Sequence, residues 1–184
     1  MSCTFIRNSR GKGVGRYGAE VHLTSGIVMR IAVDDPRSAD VVALLERHLV
    51  FANTHSPPED VHALDVDALL DPAITFCSGR DDADVLLAVG ALKELDAGHG
   101  ELKSMHTAAE ARGRGLGRAM AEHLLQIAHE RGYERVSLET GTMDAFAPAR
   151  TLYASLGFTP CPPFAGYVDS PNSVCMTRVL GSGT

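Results

Sequence analysis

The residues best suited to chemistry lie together in Arg112-Gly113-Arg114-Gly115-Leu116-Gly117, between a strand-like run, Glu101–Thr107, and a helix-like run from Leu116 to Arg131. Three glycines alternating over five residues leave backbone N–H groups uncovered by side chains. A helix that starts at once adds its own unpaired N–H groups and the positive end of its dipole. Together these form an anion site that suits a pyrophosphate. Arg112, Arg114 and Arg118 add three cations, at least one of them read as a solvated surface charge. Two other phosphate loops compete. A P-loop requires Gly-x-x-x-x-Gly-Lys-Ser/Thr, which is absent, and a dinucleotide loop belongs early in a first βαβ unit, not at residue 113 of 184.

The helix after the loop carries Leu116, Met120, Leu124 and Ile127 as one apolar stripe, with Arg118, Glu122, His123 and Glu130 elsewhere on the wheel and Gly132 as its stop. Ahead of the loop, Ile27–Val33 reads as a strand. A helix follows from Ser38 or Asp40 to about Ala52, with Val41, Leu44, Leu45, His48 and Leu49 on one face. A Pro57-Pro58 loop leads to a second helical segment over 59–70. Three strands joined by tight turns come next, at 73–78, 85–95 and 101–107. Beyond the loop and its helix lie a strand at 134–140, a helix at 145–156, and strands near Phe158 and at 174–179. The expected order is β-α-α-β-β-β-α-β-α-β-β, an α/β fold with a mixed sheet.

Arg112-x-x-Gly115-x-Gly117 after a strand resembles the Gln/Arg-x-x-Gly-x-Gly/Ala signature of the GNAT superfamily of acyl-CoA-dependent N-acyltransferases. Ala149 to Phe158, a helix bearing Tyr153 and ending in Leu156-Gly157-Phe158, resembles that family's second recurrent motif. The two stand in the family's order, about forty residues apart, and the looser resemblance runs from about Met29 to Leu180. It implies a mostly antiparallel sheet flanked by helices, with acetyl-CoA as cosubstrate, no metal, and direct transfer to an amine.

The resemblance assigns cofactor contacts to the main chain of Met105, His106 and Thr107 and to Arg112, Gly113, Arg114, Gly115, Leu116, Gly117 and Arg118. An oxyanion donor of this kind contributes roughly 3 kcal/mol. It also makes Tyr153 the general acid, since a phenol with a pKa of about 10 is protonated at neutral pH. For the base, Glu101 on the strand leading to the loop is the first choice, with a bound water as relay, Glu139 is the alternative and His106 the third; an exposed Glu101 paired with Lys103 would look the same. His55, Glu59 and His62 are candidates for substrate contact, as are Asp144, Phe146, Pro148, Phe164 and Tyr167. Cys161 is a conceivable nucleophile, but nothing near it in sequence lowers its pKa.

Composition bounds the rest. Hydrophobic content of 45% and charged content of 22% suit one globular domain. The net charge of −6 argues against a nucleic-acid partner. No apolar run reaches the roughly 20 residues of a membrane helix, and no secretory signal is visible. Four widely spaced cysteines without Cys-x-x-Cys, and eight histidines without metal-type spacing, predict reduced thiols, no metal and a cytoplasmic location. Residues 1–28, with four basic residues, one acidic residue and five glycines, read as a basic, flexible extension, 29–180 as the domain and 181–184 as a fraying tail. The expected activity is N-acetylation of a small-molecule amine by a monomer or homodimer. The alternatives are a non-catalytic acyl-CoA sensor and a nucleotide-binding protein.

Overall fold

The computed structural model describes residues 4–6, 17–23, 26–57 and 65–181. Its strands are β1 (Thr4–Ile6), β2 (Ala19–His22), β3 (Val28–Val33), β4 (Ile74–Arg80), β5 (Leu86–Asp96), β6 (His99–Thr107), β7 (Arg135–Gly141), β8 (Thr159–Pro160) and β9 (Ser173–Val179). Among the described residues three α-helices accompany them: α1 (Ala39–His55), α2 (Leu116–Glu130) and α3 (Ala147–Ser155). The strands form one nine-stranded sheet in the order β1-β2-β3-β4-β5-β6-β7-β9-β8. All neighbours are antiparallel except β6 and β7. Those two are joined through α2, a crossover of the length that a parallel pair needs.

The apolar stripe of α2 behaves as its period predicts: Leu116, Met120, Leu124 and Ile127 are all fully buried. His123 differs from the expectation. It is buried too, because the helix packs against the sheet over more than its leucine stripe and takes Ala119, Ala121, Leu125 and Ala128 with it. Helix α1 is fastened at its start by charge. Arg80 of β4 bridges Asp40 of α1 at 2.5 Å and Asp34 at 3.3 Å, and Ser78 donates to Asp34 at 2.6 Å. An acidic residue in the first turn also complements the helix dipole.

Two expectations need correction. Residues 1–28 are not wholly an extension, because Ala19–His22 is a strand of the sheet, paired with β3, and Val21 is fully buried. A two-residue alternation inside a glycine-rich, basic segment is a weak signal, and one of its two partner strands, β3, lies almost wholly beyond the expected boundary. The expected second helix over 59–70 appears, among the described residues, only as a 3₁₀ turn at Ala68–Leu70. Its earlier part, with Glu59 and His62, lies outside the described residues, as does the tail 182–184.

Candidate active site

The site begins as a parting of strands. β6 and β7 pair only at His99–Arg135, Gly100–Val136 and Glu101–Ser137. Beyond that point β6 stays on β5 as far as Thr107, and β7 stays on β9 as far as Gly141. The arms therefore diverge, and among the described residues the β7-facing edge from Lys103 to Thr107 has no ladder partner on that side. A bulge marks the place: Ser104 and Met105 together oppose Gly90, and Ser104 has φ 52°. Such a bulge bends and twists its strand. The fit at Gly90 is close: a Cβ there would stand 2.6 Å from the Met105 sulfur and 3.0 Å from Leu124 and Met120.

Beneath the parting lies a cleft of about 590 Å³, reached by β6, β7, α1, α3 and the glycine loop. Gly113 and Gly115 take φ values of 74° and 87°, the left-handed region that glycine enters without strain. Gly115 is the N-cap of α2, and the Ala119 N–H is bonded to its carbonyl at 3.0 Å. The N–H groups of the first turn thus open toward the cleft rather than into the helix. A Cβ on Gly117 would press on the Thr107 hydroxyl at 3.3 Å, so the loop lies close against the end of β6. This cradle of bare backbone fits a pyrophosphate group. Of the three expected cations, Arg112 and Arg118 line the cleft, whereas Arg114 is exposed and does not. Arg112 donates to the Thr107 carbonyl at 3.2 Å and stands over the Phe51 ring at 5.7 Å. Arg118 is paired with Glu122 at 3.2 Å and also donates to the Ser155 hydroxyl.

Tyr153, from α3, lines the cleft at 6% exposure, its ring edge-on to Phe158. Burial raises its pKa, so the phenol keeps its proton. The base candidates separate. Glu139, at the open end of β7, is half-buried and lines the cleft. Glu101 is 2% exposed and does not line it. The picture of an exposed strand carboxylate is therefore wrong. Glu101 lies behind Lys103, which pairs with it at 3.1 Å, and behind Tyr167, which donates to it at 2.6 Å. His106 lines the cleft, and its pKa is pushed down to about 3 by burial, by His48 and by Arg112 and Arg47. The ring is neutral at physiological pH and too weakly basic to hold a proton taken from an alkylamine.

Several cleft residues carry no signature in the sequence. His48 of α1 meets His106 with 3.1 Å between their Nδ1 atoms, and its pKa too is lowered, chiefly by burial. The available signal was a histidine on the leucine face of an amphipathic helix. Phe51 packs against His55 and Phe146, and of these three only Phe51 and Phe146 line the cleft. Pro148 and Tyr167 also line it; Asp144 does not, and Phe164 backs Tyr167 at 5.1 Å between ring centres. The thiols of Cys161 and Cys175 are raised by burial, Cys175 to about 11, which leaves neither as a ready nucleophile. Among the described residues no group of three or more His, Cys, Asp or Glu is placed to hold a metal, and no helix is long and apolar enough to cross a membrane.

Comparison with known proteins agrees with this geometry. Residues 39–158 match the family model for the acetyltransferase (GNAT) family. The chain is 49% identical to an uncharacterized N-acetyltransferase, YsnE, of Bacillus subtilis, over 83% of this chain and 100% of that protein. It is 32% identical to an IAA acetyltransferase of Azospirillum brasilense, over 82% of this chain and 97% of that one. Among solved structures, a proposed acyl-CoA N-acyltransferase from Klebsiella pneumoniae superposes with a TM-score of 0.68 at 25% identity, covering 82% of this chain and 97% of that chain. With the parted parallel strands, the glycine cradle and the match over most of its length, the chain belongs to the GNAT family of acetyltransferases, enzymes that use acetyl-CoA.

Proposed function

We propose that this protein moves an acetyl group from acetyl-CoA directly to the primary amine of a small molecule. The observation that carries the proposal is the unpaired edge of β6, which runs into the glycine cradle and shares one cleft with Tyr153 and Glu139. The β6 edge from Met105 to Thr107 lines the opening, and the main-chain N–H groups on its free side suit the thioester oxygen, while the amides from Gly113 to Arg118 hold the pyrophosphate. The amine approaches from the α1 side, between Phe51, His106 and Glu139. Its lone pair attacks the carbonyl carbon, the C–S bond breaks, Tyr153 gives its proton to the departing sulfur, and the surplus proton on nitrogen leaves to a carboxylate or water at the cleft, from which Tyr153 is reprotonated. Acetyl-CoA supplies the activated acetyl group, and the chain supplies orientation, a dry setting and the two ends of proton transfer.

A small acceptor is favoured by the aromatic wall of Phe51 and Phe146 and by the small-molecule acceptor named for the Azospirillum relative. Each proposed group comes from one chain, so a monomer or either protomer of a homodimer suffices. A cytoplasmic setting agrees with the free thiols of Cys77, Cys161 and Cys175.

The test is thermal unfolding with acetyl-CoA, CoA, ATP and NAD in separate samples, followed by thiol release with a panel of amines. A ligand at one hundred times its dissociation constant stabilises the native state by about 2.7 kcal/mol. Stabilisation by both CoA species and thiol release with an amine are expected. Stabilisation without thiol release would favour an acyl-CoA sensor, and stabilisation by ATP or NAD alone would overturn the cofactor assignment.

A further inference from the structure

Behind the cleft lies a closed triangle of polar groups that the steps above do not use. Tyr167 Oη donates to Glu101 Oε1 at 2.6 Å, Lys103 Nζ donates to Tyr167 Oη at 2.7 Å, and Lys103 Nζ reaches Glu101 Oε1 at 3.1 Å. Lys103 and Tyr167 line the cleft, whereas Glu101 does not. A proton passing from the cleft to Glu101 by way of this triangle must therefore go through one of the other two. Lys103 cannot take it, because an ammonium is a donor only. A phenol both accepts and donates. Lys103 also holds Glu101 directly, so it stays paired when the phenol oxygen turns to the substrate.

We propose that Tyr167 is a catalytic residue that takes the proton of the acceptor amine at Oη while handing its own phenolic proton to Glu101. This rests on the acetyltransferase reading of the site. As the amine nitrogen forms its bond to the thioester carbon, an N–H bond breaks toward Tyr167 Oη and the Oη–H bond breaks toward Glu101 Oε1. Tyr167 ends as a phenol again and Glu101 as a neutral acid. The C–S bond breaks, and its electron pair takes the proton of Tyr153. Glu101 then returns its proton to water and Tyr153 regains one, so the net change is amide plus free thiol. Burial and the neighbouring Glu101 carboxylate both hold the Tyr167 phenol in its protonated form, the form a shuttle needs at rest. The charged or titratable groups around it are Glu101 and Lys103 of β6, Glu139 of β7 and Cys175 of β9. Its ring is held without help from the hydroxyl: Phe164 packs edge-on to it, Lys103 stands 5.2 Å from its centre, and its backbone N–H donates to Phe164 at 3.0 Å.

Tyr167→Phe should therefore fold as the wild type does, which gives the test. The full chain is assayed for thiol release with acetyl-CoA and pairs of basic and less basic amines, ethylamine with 2,2-difluoroethylamine and benzylamine with aniline. Y167F and E101Q should each lose about 10²-fold in kcat/KM for the basic amines, with KM for acetyl-CoA within about twofold of wild type. The Y167F E101Q double variant should be no worse than either single one, since both remove the same path. The deficit should shrink several-fold on the less basic amines, which need less help in losing a proton; a merely structural role would not move with amine basicity. Y167F within about threefold of wild type, or an equal deficit on both classes of amine, would overturn the relay while leaving the acetyltransferase reading intact. Absence of thiol release by the wild type with every amine would instead remove the primary-amine reading, and the relay with it.

Discussion

Tyr153 unites what a general acid needs: a place on the cleft, a phenol kept protonated by burial, and a ring fixed against Phe158. Tyr153→Phe is expected to lower kcat by about 10²-fold while leaving acetyl-CoA affinity within a factor of two, checked by steady-state kinetics and calorimetry. Unchanged turnover would retire the assignment. His106 offers a pH test of stability. Its folded pKa, pushed down to about 3, lies below its unfolded value, so the neutral ring contributes stability that is fully present above about pH 6.5 and is lost as pH falls toward 3. Thermal melts from pH 7.5 to 5 should show a decline that is shallower in His106→Gln. At this scale the sequence was uneven. Tyr153 was legible because it sits in a motif. Glu101 was legible as a residue but not in its setting, since burial behind Tyr167, more than sixty positions away in the chain, has no local signature.

The elements were more readable than their junctions. Helix α2 follows from its leucine period, and both glycine conformations in its loop follow from chemistry that only glycine does easily. Gly115→Ala forces a side chain into φ 87°, at a cost of roughly 1–2 kcal/mol, and tilts the first-turn amides away from their ligand. It should weaken CoA binding about tenfold in a calorimetric titration. Gly90→Ala should destabilise the fold by roughly 1–3 kcal/mol in denaturant melts, because its Cβ collides with the Met105 side chain that fills the bulge. That bulge was not readable beforehand. Glu101–Thr107 looks like any alternating strand, and an extra residue is visible only once Val89 and Ala91 are seen opposite His106 and Lys103.

At the scale of the whole molecule, the amino-terminal segment is the main surprise. Removing residues 1–28 takes away β2 and the buried Val21, and should lower the unfolding temperature measurably. A mere extension would leave it unchanged. What the sequence determined by itself is the part written in local rules: turns where glycine must be, a helix where leucines recur, and an anion cradle where both meet, enough to reach the fold class and family. What only the tertiary structure decided is which polar groups share one space. The parting of β6 from β7, the meeting of His48 with His106, and the closure of Glu101 behind Lys103 and Tyr167 arise from packing between distant segments. Their energies depend on burial and distance, and neither quantity exists until the chain has folded.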